Sequence, residues 1–153
     1  MASVDYIAEM KRHACATDDQ FWWFNPSERS DADHSVFYVD QRTEPHRWVF
    51  ASSLGSEFAL PFFALRLSMP RFELTDYPKT FTQKDGLVFI YSYGVEVAPV
   101  HPEKIETIYG HAPKLTVCLN SLTNKATGSF ECVIRDPGQP LQGEFRLSFD
   151  DSF

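Results

Sequence analysis

HSVFYVDQRTEPHRWVFASSL, residues 34 to 54, decides the fold class. In its first third Val36, Tyr38 and Asp40 alternate with Phe37 and Val39, a period of two in which both faces carry apolar groups. That pattern is expected of a strand in the middle of a sheet. Arg42 to Pro45 supplies turn residues, and His46 to Leu54 resumes an apolar, β-branched and aromatic run. Two such runs around a short polar turn predict an antiparallel hairpin.

The same reading extends outward in both directions. GEFRLSFD, 143 to 150, alternates Phe145, Leu147 and Phe149 with Arg146, Ser148 and Asp150. GLVFIYSYG, 86 to 94, sets Val88, Ile90 and Ser92 against Phe89, Tyr91 and Tyr93, and Asp85-Gly86 before it is a two-residue turn signal. KLTVCLNSL (114 to 122) and SFECVIRD (129 to 136) read as strands, and another is expected near KTFTQ. Residues 56 to 69 admit a helix capped by Ser56, but the alternation of Phe63, Leu65 and Leu67 with Ala64, Arg66 and Ser68 after Pro61 favours a strand. KIETIYG is a short helix or a strand. One helix is expected, over residues 3 to 16, with Ser3 as its N-cap and Asp5 in its first turn. The fold class that follows is α+β: a β-rich single domain spanning 1–153, with a mostly antiparallel curved sheet of about eight strands and the N-terminal helix packed on it.

Composition narrows the function classes. The chain carries 14 basic and 21 acidic residues, a net charge of −7. Its basic residues are scattered, which disfavours nucleic acid and anionic membranes as ligands, since both require clustered cations. A basic protein is the partner that the charge favours, because complementary fields raise association rates. No stretch approaches the ~18 apolar residues of a membrane span. Cys15, Cys118 and Cys132 form no CxxC pair, which is expected of free thiols in a cytoplasmic protein.

Motifs for chemistry are sparse. There is no phosphate-binding loop and no GxSxG elbow. The five histidines, His13, His34, His46, His101 and His111, form no HxH or HxxxH pair. Asp31, Asp33 and His34 lack the glycine turn and distal acid of a calcium loop, so no metal is expected. Cys15 would stand at the C-terminal end of its helix, where the dipole opposes a thiolate. Glu131, Glu144 and Asp150, with Arg135 and Arg146, read as cross-strand ion pairs on a solvated sheet face. No catalytic residue and no cofactor are expected.

The remaining signal is FWWFNPSERSDADH, 21 to 34. Four aromatics, Phe21 to Phe24, run into the start of an acidic region. From Asp18 to Glu44 the acids are Asp18, Asp19, Glu28, Asp31, Asp33, Asp40 and Glu44, against Arg29 and Arg42 alone. One reading turns Phe21 and Trp23 inward and lets the acids solvate a loop. The other makes the stretch a docking surface, with aromatic anchors and carboxylates at the rim. The docking reading expects a non-enzymatic protein-binding module, most concretely a small acidic cytosolic inhibitor of the toxin-immunity type that occludes a basic partner protein. Its expected contact residues are Trp22, Trp23, Glu28, Asp31, Asp33, Asp40 and Glu44. The alternative is a small-ligand protein or cofactor-free enzyme, with Phe62, Phe63, Phe89, Tyr91 and Tyr93 lining a pocket and His34 or His46 as base.

Overall fold

The structure is a computed structural model that describes residues 18–24, 28–55, 61–95, 104–134 and 139–152. Eleven strands are found there, in chain order β1 (Gln20–Phe24), β2 (Arg29–Asp31), β3 (His34–Asp40), β4 (Arg47–Gly55), β5 (Phe62–Pro70), β6 (Lys79–Thr82), β7 (Val88–Val95), β8 (Lys104–Tyr109), β9 (His111–Asn120), β10 (Lys125–Ile134) and β11 (Gln139–Ser148). They form two antiparallel sheets, β2-β1-β11-β10-β9-β6 and β3-β4-β5-β7-β8. The α+β expectation is therefore corrected to an all-β fold with two sheets instead of one curved sheet. The only helical element among the described residues is a single 3-10 turn, Gln83–Asp85. The helix expected over 3 to 16 lies outside the described residues.

The sheets meet through aromatic side chains. Phe50 of β4 stacks on Phe145 of β11 with ring centroids 4.8 Å apart, and Phe89 of β7 meets Phe130 of β10 at 5.8 Å. Leu65, Leu67, Leu115, Leu141 and Leu147 fill the space between, all fully buried. Offset aromatic pairs of this kind add about 0.5–1.5 kcal/mol each beyond their area burial. Among the described residues, seven of the chain's 14 phenylalanines are buried in this layer.

The 34–54 hairpin forms as expected: His34 to Asp40 pair with Ser53 to Arg47 in one unbroken register. Its first strand is not central, however. β3 is the edge of the five-stranded sheet. Both of its faces are apolar because Phe37 and Val39 enter the inter-sheet core, while Val36 and Tyr38 join Val49, Ala51, Phe62 and Ala64 in a second apolar cluster on the other side of the sheet. Period-two burial reports coverage of the two faces, and says nothing of neighbours in the sheet plane.

The segments at 62–70 and 104–109 are strands β5 and β8. Asp85-Gly86, by contrast, does not close a hairpin. Gly86 has φ +88°, the left-handed backbone that glycine adopts without cost, and it carries the chain from β6 in one sheet to β7 in the other. Two other crossings are shorter still. Gly110 links β8 to β9 and donates its N–H to Phe89 O at 2.9 Å. Ala32 and Asp33 link β2 to β3, with Ala32 N–H on Phe21 O and Asp33 N–H on Ser53 O. The C-terminal end of β11 also crosses the gap, where Asp150 N–H bonds Phe37 O. The linkers are thus bonded to the sheets they join, and the Asp150–Phe37 bond ties the end of one sheet's strand to the other sheet.

Candidate functional site

Strand β1 sorts the four aromatics by alternation. Phe21 and Trp23 point into the core, 3% and 1% exposed. Trp22 and Phe24 point to the outer face of the six-stranded sheet, half-buried, with their rings in edge contact at 5.4 Å. Register then determines what stands beside them. One row across the sheet reads Asp31, Trp22, Glu144, Ser129, Thr116, Thr80. The next reads Arg29, Phe24, Gln142, Glu131, Lys114, Thr82. Side chains of both rows, from Trp22 and Phe24 to Thr116 and Lys114, line an open concavity of about 420 Å³.

Two glycines, Gly128 on β10 and Gly143 on β11, let this part of the sheet form. Gly128 lies opposite Phe145 and Gly143 opposite Phe130, so each ring lies over a position without a side chain. A methyl group on Gly128 would overlap the Phe145 ring, and one on Gly143 would meet the Trp22 backbone. The Phe130 and Phe145 rings thereby lie flat within the inner layer.

The electrostatics of the face are mixed. Arg29 donates from Nε and Nη2 to Asp31 Oδ1, at 3.1 and 2.9 Å, and its guanidinium lies 4.4 Å from the Trp22 ring centre. Lys114 approaches Glu131 at 3.8 Å, with both side chains more than half exposed, so the pair contributes little. Glu144 has no ion-pair partner among the described residues. The cross-strand ion pairs expected on this face are thus met at Glu131 by Lys114; Arg146 stands against Gln20 and Thr127, and Arg135 lies outside the described residues.

The acidic region from 18 to 44 is dispersed by the fold. Asp18 pairs with Lys125, and Asp19 accepts from Ser148 N–H and Oγ–H at 3.0 Å. Burial pushes the Asp19 pKa above 3.8, outweighing those two hydrogen bonds. Asp33 Oδ2 accepts from Gly55 N–H at 2.8 Å, fastening the β2–β3 turn to the end of β4. Asp40 is 6% exposed and sits with Arg42 and Arg66 on the five-stranded sheet. Burial pushes its pKa up, but hydrogen bonds from Arg42 and the charges of Arg42 and Arg66 more than offset this and hold it below 3.8. Glu44 is exposed beside a cis Glu44–Pro45 bond in the β3–β4 turn.

Of the seven residues expected at an interface, then, Trp22 and Asp31 stand together on the outer face. Glu28 is exposed just ahead of β2. Trp23 belongs to the core, Asp33 and Asp40 hold the fold, and Glu44 lies in a turn of the other sheet. Phe24, Glu131, Gln142 and Glu144 were not expected there. The alternation of GEFRLSFD had placed Glu144 outward, but its neighbours depend on strand order, which the sequence does not display.

The aromatics of the alternative reading do not share a pocket. Phe89 and Tyr91 are buried in the inter-sheet core, Phe63 and Tyr93 pack against it, and Phe62 lies on the opposite side of the sheet. His34 and His46 stand near opposite ends of the β3–β4 hairpin. Among the described residues no group of three or more His, Cys, Asp or Glu could hold a metal ion. No described helix is long and apolar enough to cross a membrane. Compared with protein-family models, curated proteins and solved structures, the chain matches none.

Proposed function

We propose that this chain is a non-enzymatic protein-binding module that docks a basic protein on the outer face of its six-stranded sheet. The supporting observation is the placement of Trp22: half-buried, at the rim of a concavity, with carboxylates on the strands to either side. Large rigid aromatics in such positions supply much of the binding free energy of interfaces, and neighbouring carboxylates set orientation and association rate. In its more specific form the module is a cytoplasmic inhibitor of the toxin-immunity type, covering the cationic active site of an enzyme. The net charge of −7 favours such a partner.

The test is affinity capture from native cytosol at low salt, elution with a salt step and mass spectrometry. One basic protein released by salt, and lost with W22A, supports the reading. Salt-eluted proteins captured equally by wild type and W22A count against it.

A further inference from the structure

Arg29 occupies one side of Trp22, and the other side opens into the concavity. On the β2 side of Trp22, Arg29 lies over the indole and is held by Asp31, the residue directly opposite Trp22 in the register. On the β11 side the residue directly opposite Trp22 is also a carboxylate, Glu144. There the space is the open concavity, walled by Trp22 and Phe24 and bounded further along by Gln142 and Glu131. Among the described residues no cation pairs with Glu144.

We propose that this concavity receives an arginine side chain of the partner, its guanidinium against the wall of Trp22 and Phe24 and hydrogen-bonded to Glu144, repeating what Arg29 and Asp31 do on the other side. The inference rests on the protein-binding reading and names the chemistry of the partner's anchor. Arginine fits better than lysine for two reasons. A planar guanidinium stacks on aromatic faces and presents several donors at once, whereas an ammonium is a strongly hydrated point charge. Gln142 and Ser129, beside Glu144 and Glu131, offer oxygens for the donors that the carboxylates leave over. Lys114 closes the far end of the concavity, so the acceptors are concentrated near Trp22.

The probe is a short capped peptide, acetyl-Gly-Arg-Gly-amide, with otherwise identical peptides carrying citrulline or lysine. Citrulline keeps the shape of arginine and removes its charge. Binding is read from the indole N–H resonance of Trp22 in the full-length protein, assigned by loss of that signal in W22F. The arginine peptide is expected to shift the Trp22 signal in a saturable manner and to leave the Trp23 and Trp48 signals in place. The citrulline peptide should bind about fivefold or more weakly, and E144Q should weaken the arginine peptide to a similar degree. E144Q lies on an exposed position, so its melting curve should match wild type and keep the comparison interpretable.

Equal binding of arginine and citrulline peptides, equal binding of arginine and lysine peptides, or an affinity unchanged by E144Q overturns the proposal. Failure of this site and failure of the protein-binding reading are separable. A basic protein captured as above but indifferent to E144Q places the anchor elsewhere and leaves the reading standing. Peptide binding as expected, with no basic protein captured, does the reverse.

Discussion

Trp22 and Trp23 are adjacent in the chain and opposite in the fold. Trp23 is 1% exposed, in edge contact with Phe21 inside the core, while Trp22 lines the outer concavity under the guanidinium of Arg29. Their truncations should separate stability from binding. Trp23→Ala should cost about 3–5 kcal/mol of unfolding free energy, as large core aromatics do. Trp22→Ala should cost about 1 kcal/mol, since it removes a half-exposed ring and one cation–π contact. Urea unfolding followed by far-ultraviolet circular dichroism measures both.

The paired glycines and rings of β10 and β11 give a second expectation. Gly128→Ala places a methyl group against the Phe145 ring, which Phe50 holds from the other sheet. Overpacking of this kind costs about 1–3 kcal/mol. Thermal melting should show a clear drop for Gly128→Ala and almost none for Ser129→Ala, the exposed next residue.

Acid sensitivity should be carried in part by Asp40. Its folded-state pKa lies below 3.8, so its ion pairs stabilise the protein above that value and are lost as pH falls through the folded pKa. Asp19 acts in the opposite sense: its raised pKa means that ionisation near and above pH ~4 opposes folding. Asp40→Asn should lower stability at pH 7 by about 2–3 kcal/mol, because Arg66, with little exposure, and Arg42 both lose the charge of the Asp40 carboxylate. It should also flatten the decline of stability below pH ~4. Unfolding free energies measured from pH 3 to pH 7 on both proteins test the sign.

How far the sequence discloses this fold depends on which interactions set each feature. Alternation is a property of one strand, so the 34–54 hairpin and the outward Glu144 were legible, whereas the same alternation in QFWWF left open which of its aromatics turn inward, and Trp23, expected at the interface, belongs to the core. Sheet order is a property of distant strands. Nothing local in QFWWF tells that β1 pairs with β11, more than a hundred residues later, and without that pairing Glu144 has no reason to be placed beside Trp22. The acidic region misled for the same reason. Asp33 and Asp40 look like loop and strand-end acids in sequence, yet one is bonded to Gly55 and the other to Arg66, both distant in the chain.

The carboxylates of Asp31 and Asp33 should therefore respond differently to removal of their charge. Asp31→Asn should leave stability within about 0.5 kcal/mol of wild type, because its pair with Arg29 is solvent-exposed. Asp33→Ala should cost about 1 kcal/mol by removing the acceptor for Gly55 N–H. Denaturant midpoints of the two variants should therefore differ, although the residues are two apart and of the same type.

The two described cysteines should differ in reactivity. Cys132 is buried, and that burial pushes its pKa up to about 12, whereas Cys118 is partly exposed on the neighbouring strand β9. Iodoacetamide at pH 8 should modify Cys118 and leave Cys132 intact in the native protein, with both modified after denaturation. Peptide mapping by mass spectrometry distinguishes the sites.

The central claim is that the outer face of the six-stranded sheet is the docking surface. Its most direct test is an amide and indole chemical-shift map of the protein titrated with the basic protein released in the salt step. The account predicts perturbations centred on Trp22, Phe24, Ser129, Glu131, Gln142 and Glu144. Perturbations centred instead on β3, β4 and the turn at Glu44, with Trp22 unchanged, would contradict it.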